Sequence, residues 1–210
     1  MMIDFELSKN IKGFMADDEA LRLYETALKA SLMGPCLEIG SYCGKSAYFL
    51  GLGCRENGAV VYSIDHHRGS EEQQPDQEYF DPELYDPSTG KIDTLPFFRN
   101  TIEKAGLVEN IVPIVAPSRV AGRMWSTPLS LVFIDGGHSL ESAMEDYDTW
   151  SGHIMENGFL LIHDIFMDPA QGGQAPRKVY ERALDSGYYE SLGMTGTLGV
   201  LSRKWTMVKN

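Results

Sequence analysis

Apolar runs and helix-period segments alternate along most of this chain. The stretch "DDEALRLYETALKASLMG", residues 17–34, has acids in its first turn and apolar residues at Leu21, Tyr24, Leu28 and Leu32. Gly34-Pro35 stops it, so the pattern predicts a helix. "CLEIG" reads as a short buried strand, followed by a glycine turn and a helix through "KSAYFLGLG"; "AVVYSID" is the next strand. Further on, "LPFFRNTIEKAG" predicts a helix, "IVPIVA" a strand, and "LSLVFIDGG" a strand ending in an acid and two glycines. "SLESAMEDYDTWSGHIM" places Leu140, Met144, Tyr147 and Ile154 at roughly helical spacing, and "GFLLIHDIF" is again a strand. "APRKVYERALDSG" predicts a helix, and "YYESLGM" with "LGVLSRK" a closing antiparallel hairpin. Seven strands result. Near-continuous apolar strands separated by helices predict a doubly wound α/β fold: a mostly parallel sheet covered on both faces. Its ligand crevice is expected at the carboxyl ends of the strands.

The segment 66–93, "HHRGSEEQQPDQEYFDPELYDPSTGKID", breaks this rhythm. It is too long and polar for an ordinary connection, and loops of this length are usually functional lids or disordered segments. Tyr79, Phe80 and Tyr85 suit a lid that packs on something; a solvated acidic loop is the alternative. With 210 residues and no internal repeat, the chain is expected to form one domain. Within it, residues 1–34 form an N-terminal helical segment and 66–93 an insert.

Composition narrows the partners. The net charge of −12 argues against a nucleic-acid backbone or an anionic membrane surface, which need a positive footprint. Cys36, Cys43 and Cys54 show no metal-type spacing, and an odd count suggests a reducing compartment with Cys36 and Cys43 near a core. No apolar stretch approaches ~18 residues and no leader pattern opens the chain, so the expected location is cytoplasmic. The segment before Asp17 is placed to reach a second copy in a homodimer.

"LEIGSYCGKS" ends like a phosphate loop, but only Ser41, Tyr42 and Cys43 separate Gly40 from Gly44, where that loop needs four residues. The dinucleotide pattern G-x-G-x-x-G is also absent. Strand, glycine turn, helix, strand and acid nevertheless make a nucleoside-binding unit: glycines allow close approach and the helix start offers free N–H groups. Asp65, 21 residues after Gly44, stands where such units place the acid that binds ribose. Glu38, Gly40 and Gly44 spell E-x-G-x-x-x-G, and with Asp65 they resemble the first motifs of class I S-adenosylmethionine-dependent methyltransferases. "EIGSYCGKS" is similar to the form found in small O-methyltransferases. The resemblance implies a Rossmann-like fold and the cofactor S-adenosyl-L-methionine. Its methionine and sulfonium would lie at Gly40, Ser41, Tyr42, Gly44 and Ser46, with Glu38 nearby. Asp65 would hold the ribose, with His66 next to it, and Ser118 would approach the adenine.

Two other strand ends carry polar clusters. One ends in Asp135-Gly136-Gly137-His138 and the other in His163-Asp164. Hard oxygen ligands with open positions suit Mg²⁺ or a similar ion that must also hold a substrate. The pairing resembles metal-dependent O-methyltransferases, including those acting on sugar or polyketide hydroxyls. That resemblance implies a divalent ion on Asp135, His163 and Asp164, Asp135 also reaching the cofactor, and His138 as general base. His138 would titrate near about 6.5 when unperturbed. His163 stands where a carboxylate often does, which shifts the preference from Mg²⁺ towards Mn²⁺, Fe²⁺ or Zn²⁺. The expected partner is a small-molecule hydroxyl acceptor.

Plainer readings stand beside these. The glycines can make a tight turn and Asp65 can cap a helix. Asp135 can be a turn acid, and His163 a hydrogen-bonded core histidine. Lys45 lacks the phosphate-loop spacing and reads as a first-turn residue with a solvated tip, and Trp125 and Trp150 as packing residues. For the whole chain, the alternatives are an NAD-linked oxidoreductase or a non-catalytic nucleoside-binding protein.

Overall fold

A computed structural model describes residues 3–137 and 139–205. The chain opens with a short helix α1 (Phe5–Lys9) and a longer α2 (Asp17–Ala30). Strands and helices then alternate: β1 (Cys36–Ile39), α3 (Lys45–Arg55) and β2 (Val61–Asp65). The insert contributes a minimal hairpin, β3 (Tyr85–Asp86) and β4 (Lys91–Ile92). Then come α4 (Leu95–Lys104), β5 (Ile111–Val115), α5 (Ser118–Gly122), β6 (Leu129–Ile134) and α6 (Leu140–Trp150). β7 (Ile154–Ile162), α7 (Ala175–Asp185), β8 (Tyr189–Thr195) and β9 (Leu198–Arg203) complete the chain.

The main sheet runs β5-β2-β1-β6-β7-β9-β8. Its first five strands are parallel, and β9 pairs antiparallel with both β7 and β8. The seven-stranded, mostly parallel, doubly wound fold read from the sequence is therefore the observed one. From β1 the chain first builds outward through β2 to β5, then crosses to β6 on the other side. That reversal makes a topological switch point at the ends of β1 and β6, where such sheets form their crevice. β1 and β6 are buried along their whole length, as a sheet covered on both faces requires. One core layer joins Leu23 and Ala27 of α2, Phe49 and Leu50 of α3 and Phe98 of α4 to the sheet. The opposite layer joins Tyr147 and Trp150 of α6 and Val179 and Ala183 of α7 to it. Tyr62, Trp125 and Trp150 stack edge to face in that second layer, so both tryptophans are packing residues as expected.

The structure corrects two local readings. The buried face of α2 is Ala20, Leu23, Ala27 and Ala30, whereas Leu21 and Leu32 are exposed. Large apolar residues were an incomplete marker, because beside the buried Leu23 the face of α2 that presses on α3 admits only small side chains. A Cβ on Gly53 of α3 would lie 2.8 Å from the Ala27 Cβ and 2.8 Å from the Leu28 N. Ile154 does not extend α6. A 3-10 turn at Ser151–His153 ends the helix and Ile154 opens β7, buried opposite Leu129. The segment before Asp17 packs on its own chain: Ile11 and Met15 are buried, and Lys12 bonds Asp81 and Glu83 of the insert at 2.5 and 2.7 Å, while Phe14 is exposed.

The insert is a packed body. Leu84 and Ile92 are buried with Cys43 of the glycine turn, and Phe80, Tyr85 and Phe97 pack around them. All three cysteines are buried and unbridged. No helix among the described residues is long and apolar enough to cross a membrane.

The tight α2–α3 contact gives a stability prediction. Gly53→Val should destabilise the chain by about 1–3 kcal/mol through overpacking, read as a lower urea midpoint at unchanged slope.

Candidate functional site

The strand ends are brought together by backbone bonds that run one step beyond the strands. The Gly40 N–H donates to the Ile64 carbonyl at 3.0 Å, the Asp135 N–H to Ile39 at 2.9 Å, and the His163 N–H to Ile134 at 3.1 Å. Gly40, Asp135 and His163 thus lie side by side. Gly40 has φ +88°, and a Cβ there would sit 2.0 Å from the Asp135 carbonyl oxygen. Only glycine lets the two strand ends approach this closely. Above them opens a cleft of about 950 Å³, lined by Gly40, Ser41, Tyr42, Asp65, Asp135 and Asp164 among others.

The glycine turn is held from below. Asp65 Oδ2 accepts from the Ser41 and Tyr42 N–H groups, both at 2.9 Å, and Oδ1 from the His67 N–H at 2.7 Å. A carboxylate offers about four lone-pair sites, so Asp65 keeps capacity for roughly one further bond into the cleft. Tyr42, at φ +46°, takes the left-handed step that presents the two N–H groups to it.

Glu38 lies fully buried beneath the turn and is not among the cleft-lining residues. Its Oε1 accepts from the Ser46 hydroxyl at 2.5 Å and its Oε2 from Ser63, which in turn meets the Ser41 hydroxyl at 2.5 Å. Burial pushes the Glu38 carboxyl up to about 7, against the two serine bonds, and nearby Asp135 and Asp65 add to the rise. Gly44, at φ +92°, leads into α3 from below the cleft. Lys45 is the first residue of α3, as expected; it is partly buried on the cleft lining, and its ammonium donates to the Gly13 carbonyl at 3.4 Å.

Across the Gly40 contact stand Asp135, His163 and Asp164, whose ligand-capable atoms lie within 4.8 Å of one another. His163 is buried, with Nδ1 3.1 Å from Asp135 Oδ1 and 3.6 Å from Asp164 Oδ1. Its Nε2 is 3.1 Å from Glu19 Oε2. Burial alone would lower the His163 pKa, but Asp135, Glu19 and Asp164 outweigh it and push it up to about 11. Burial likewise opposes ionisation of Glu19, yet His163, the Thr197 N–H and the Ala16 N–H hold its carboxyl at about 2. Asp164 is held at φ +57°, a strained backbone step for a non-glycine residue.

This donor set fits a divalent ion that takes the place of the proton on His163 Nδ1. Two carboxylates and one imidazole nitrogen converge, and the other nitrogen meets an outer carboxylate, the common arrangement around ligating histidines.

The remaining assignments fall around this frame. His66 is half exposed at the cleft edge, 3.9 Å from Asp65 Oδ1. Ser118 begins α5 on the cleft wall and accepts from the Trp150 indole N–H at 2.7 Å. Ser46 lines the cleft floor while bonding Glu38. His138 lies outside the described residues. Two residues were not singled out in the sequence: Glu19, one of the first-turn acids of α2, and Asp146, in the helix read only for its apolar positions. Asp146 is buried on the cleft wall, where desolvation pushes its carboxyl up to about 6 against the Ser118 hydroxyl.

The buried Glu38 carboxyl has a measurable signature. Its proton is retained in the folded chain up to about pH 7, whereas the unfolded chain releases it near about pH 4.3. Folding stability from this group is therefore fully present below the unfolded pKa and is lost as pH rises through 7. Glu38→Gln should remove that loss. Its stability relative to wild type should rise by on the order of 3 kcal/mol between pH 4 and 8, measured by urea unfolding across that range.

Known proteins share this fold. The O-methyltransferase NovP superposes with a TM-score of 0.67 at 13% identity, over 90% of this chain and 80% of its own. An O-methyltransferase from Bacillus cereus in complex with SAH matches with a TM-score of 0.65 at 13% identity, covering 97% and 93%. Cofactor-bound Rv0187 from MTB matches with a TM-score of 0.63 at 15% identity, covering 96% and 88%. At such identities these three establish the fold alone. The sequence itself goes further: residues 37–165, from the first core strand to just past Asp164, match the family described as Methyltransferase domain. That span is well over half of the chain and contains the glycine turn, Asp65, Asp135 and the His163-Asp164 pair, so the chain belongs to the methyltransferase-domain family.

Proposed function

We propose that the chain transfers a methyl group from S-adenosyl-L-methionine to a hydroxyl of a small molecule, with a divalent ion held by Asp135, His163 and Asp164. One observation carries this reading: the glycine turn with Asp65 and the acid–histidine cluster face a single cleft across the Gly40–Asp135 contact.

The charges at the cleft favour this nucleoside over a phosphate-bearing one. Lys45, the residue that would meet phosphates, lacks the phosphate-loop spacing and donates to the Gly13 carbonyl at 3.4 Å. Asp65, Asp135 and Asp164 place carboxylates at the edges instead, and carboxylates suit a cation. S-adenosylmethionine supplies a methyl group already activated on a sulfonium. Asp65, with three backbone N–H groups on it, accepts one ribose hydroxyl rather than both. The Ser41–Ser63–Glu38–Ser46 chain keeps the turn rigid beneath the ligand, which limits the ordering cost of binding.

The acceptor hydroxyl needs a lower pKa and a fixed position. A divalent ion supplies both, as a Lewis acid and a template. Asp135 and Asp164, each about one-quarter exposed, are the carboxylates that would hold it, with His163 Nδ1 between them. His138 is the proposed general base on its sequence position, three residues after Asp135. Phe14 and Tyr79, stacked edge to face with centroids 5.5 Å apart at the cleft mouth, give the acceptor an apolar wall.

Calorimetric titration should show S-adenosylmethionine binding well above NAD and ATP; equal binding of all three, or none of the first, would contradict the cofactor assignment. EDTA treatment and Asp164→Asn should each lower methyl transfer by at least about 100-fold, as loss of Lewis-acid stabilisation implies, while cofactor binding is retained. Transfer that survives both treatments would remove the ion from the reaction.

A further inference from the structure

Glu19 lies outside the strands that carry the cluster, 144 positions from His163 in sequence, yet it is one of the two carboxylates that clamp the imidazole. It is 5% exposed, on the first turn of α2. Oε1 accepts from the Thr197 N–H at 2.6 Å and the Thr197 hydroxyl at 2.9 Å, in the turn between β8 and β9. Oε2 accepts from the Ala16 N–H at 3.1 Å and faces His163 Nε2 at the same distance. A Cβ on Gly196 would lie 2.5 Å from Oε1, so the hairpin turn closes tightly over the carboxylate. This carboxylate cannot swing: an N-terminal helix and a C-terminal hairpin hold it against the ring from opposite ends of the chain.

An ionised carboxylate only accepts hydrogen bonds. Its partner nitrogen must therefore carry a hydrogen, and a histidine that ligates a metal must use its other nitrogen. We propose that Glu19 is the positioning residue of the metal site. It keeps the hydrogen on His163 Nε2 and so commits Nδ1, which faces Asp135 and Asp164, to the ion. This rests on the reading of Asp135, His163 and Asp164 as metal ligands and adds to it a residue and a defined tautomer. With one nitrogen and two oxygens offered, the site takes a transition ion that accepts imidazole in preference to Mg²⁺. The N-terminal helix, a bystander in the glycine turn, thereby becomes part of the site's chemistry.

Co²⁺ serves as the probe, since its visible absorption reports nitrogen ligation. Titration of the wild-type protein should give a saturable Co²⁺ spectrum that excess Mg²⁺ displaces poorly. Glu19→Gln should weaken Co²⁺ binding by about 10–100-fold, the usual cost of removing an outer partner of a metal ligand. Leu107→Ala opens a cavity in the buried core between α4 and β5, at the sheet edge opposite β8 and away from Glu19. It should lower stability and leave Co²⁺ affinity within the scatter of the wild-type titration, which separates positioning from a general structural role. Should Glu19→Gln fail to fold, ¹⁵N-correlated NMR of the Zn²⁺-loaded wild-type protein reads the tautomer directly: His163 should carry its hydrogen on Nε2. Unchanged Co²⁺ affinity in Glu19→Gln, or a hydrogen on Nδ1 with zinc bound, would overturn the role of Glu19 while leaving the ligand assignment intact. Failure of the wild-type protein to bind Co²⁺ would overturn both.

Discussion

The structure depends on one close contact, the approach of the Gly40 backbone to the carbonyl of Asp135. With a side chain at position 40 the ends of β1 and β6 would be forced apart, since a Cβ would stand 2.0 Å from that oxygen. Two chemically different groups meet because of it. On one side lies a turn whose N–H groups are gathered by Asp65, and on the other the Asp135–His163–Asp164 cluster. The crossing of the chain at β1 and β6 supplies the crevice, and the glycine lets its two walls share one volume. Methyl transfer is an in-line displacement in which positioning supplies much of the rate, so this separation sets how donor and acceptor face each other.

Around that contact the polar groups are fixed before any ligand arrives. Asp65 is bound to three backbone N–H groups, and Glu38 sits between two serine hydroxyls in a buried row that reaches Ser41. His163 is held between Asp135 and Glu19. Buried polar networks of this kind are stable only when each member finds a partner. The N-terminal segment extends the same logic to the cleft mouth, where Lys12 ties it to the insert and Phe14 meets Tyr79.

Much of this was legible in the sequence because it is local. Alternating apolar strands and helices gave the sheet, and the order E-x-G-x-x-x-G followed by Asp65 gave the turn, since a strand, a tight turn and a helix are written within a few residues. The acids and histidine at the ends of β6 and β7 were readable for the same reason. What escaped was long-range or depended on small residues. Glu19 reaches His163 only after α2 has folded back across the sheet, and nothing near residue 19 announces that contact. The face of α2 was misread because, apart from Leu23, it is marked by alanines, where the helix presses against a glycine of its neighbour. The aromatics of the insert suited a packed lid and its acids a solvated loop; the burial of Leu84 and Ile92 with Cys43 decides for packing, through a core too small to leave a periodic pattern. Even Asp65 proved different in detail: the sequence placed it for the ribose, while the structure shows most of its accepting capacity already spent on the turn.

The most direct test of this account is a crystal structure of the protein with S-adenosylhomocysteine. The nucleoside should lie over the glycine turn, with Asp65 retaining the Ser41, Tyr42 and His67 N–H groups and accepting a single ribose hydroxyl. The thioether should point across Gly40 towards Asp135 and Asp164. A ligand seated elsewhere, or an Asp65 that has released the turn to hold both ribose hydroxyls, would contradict it.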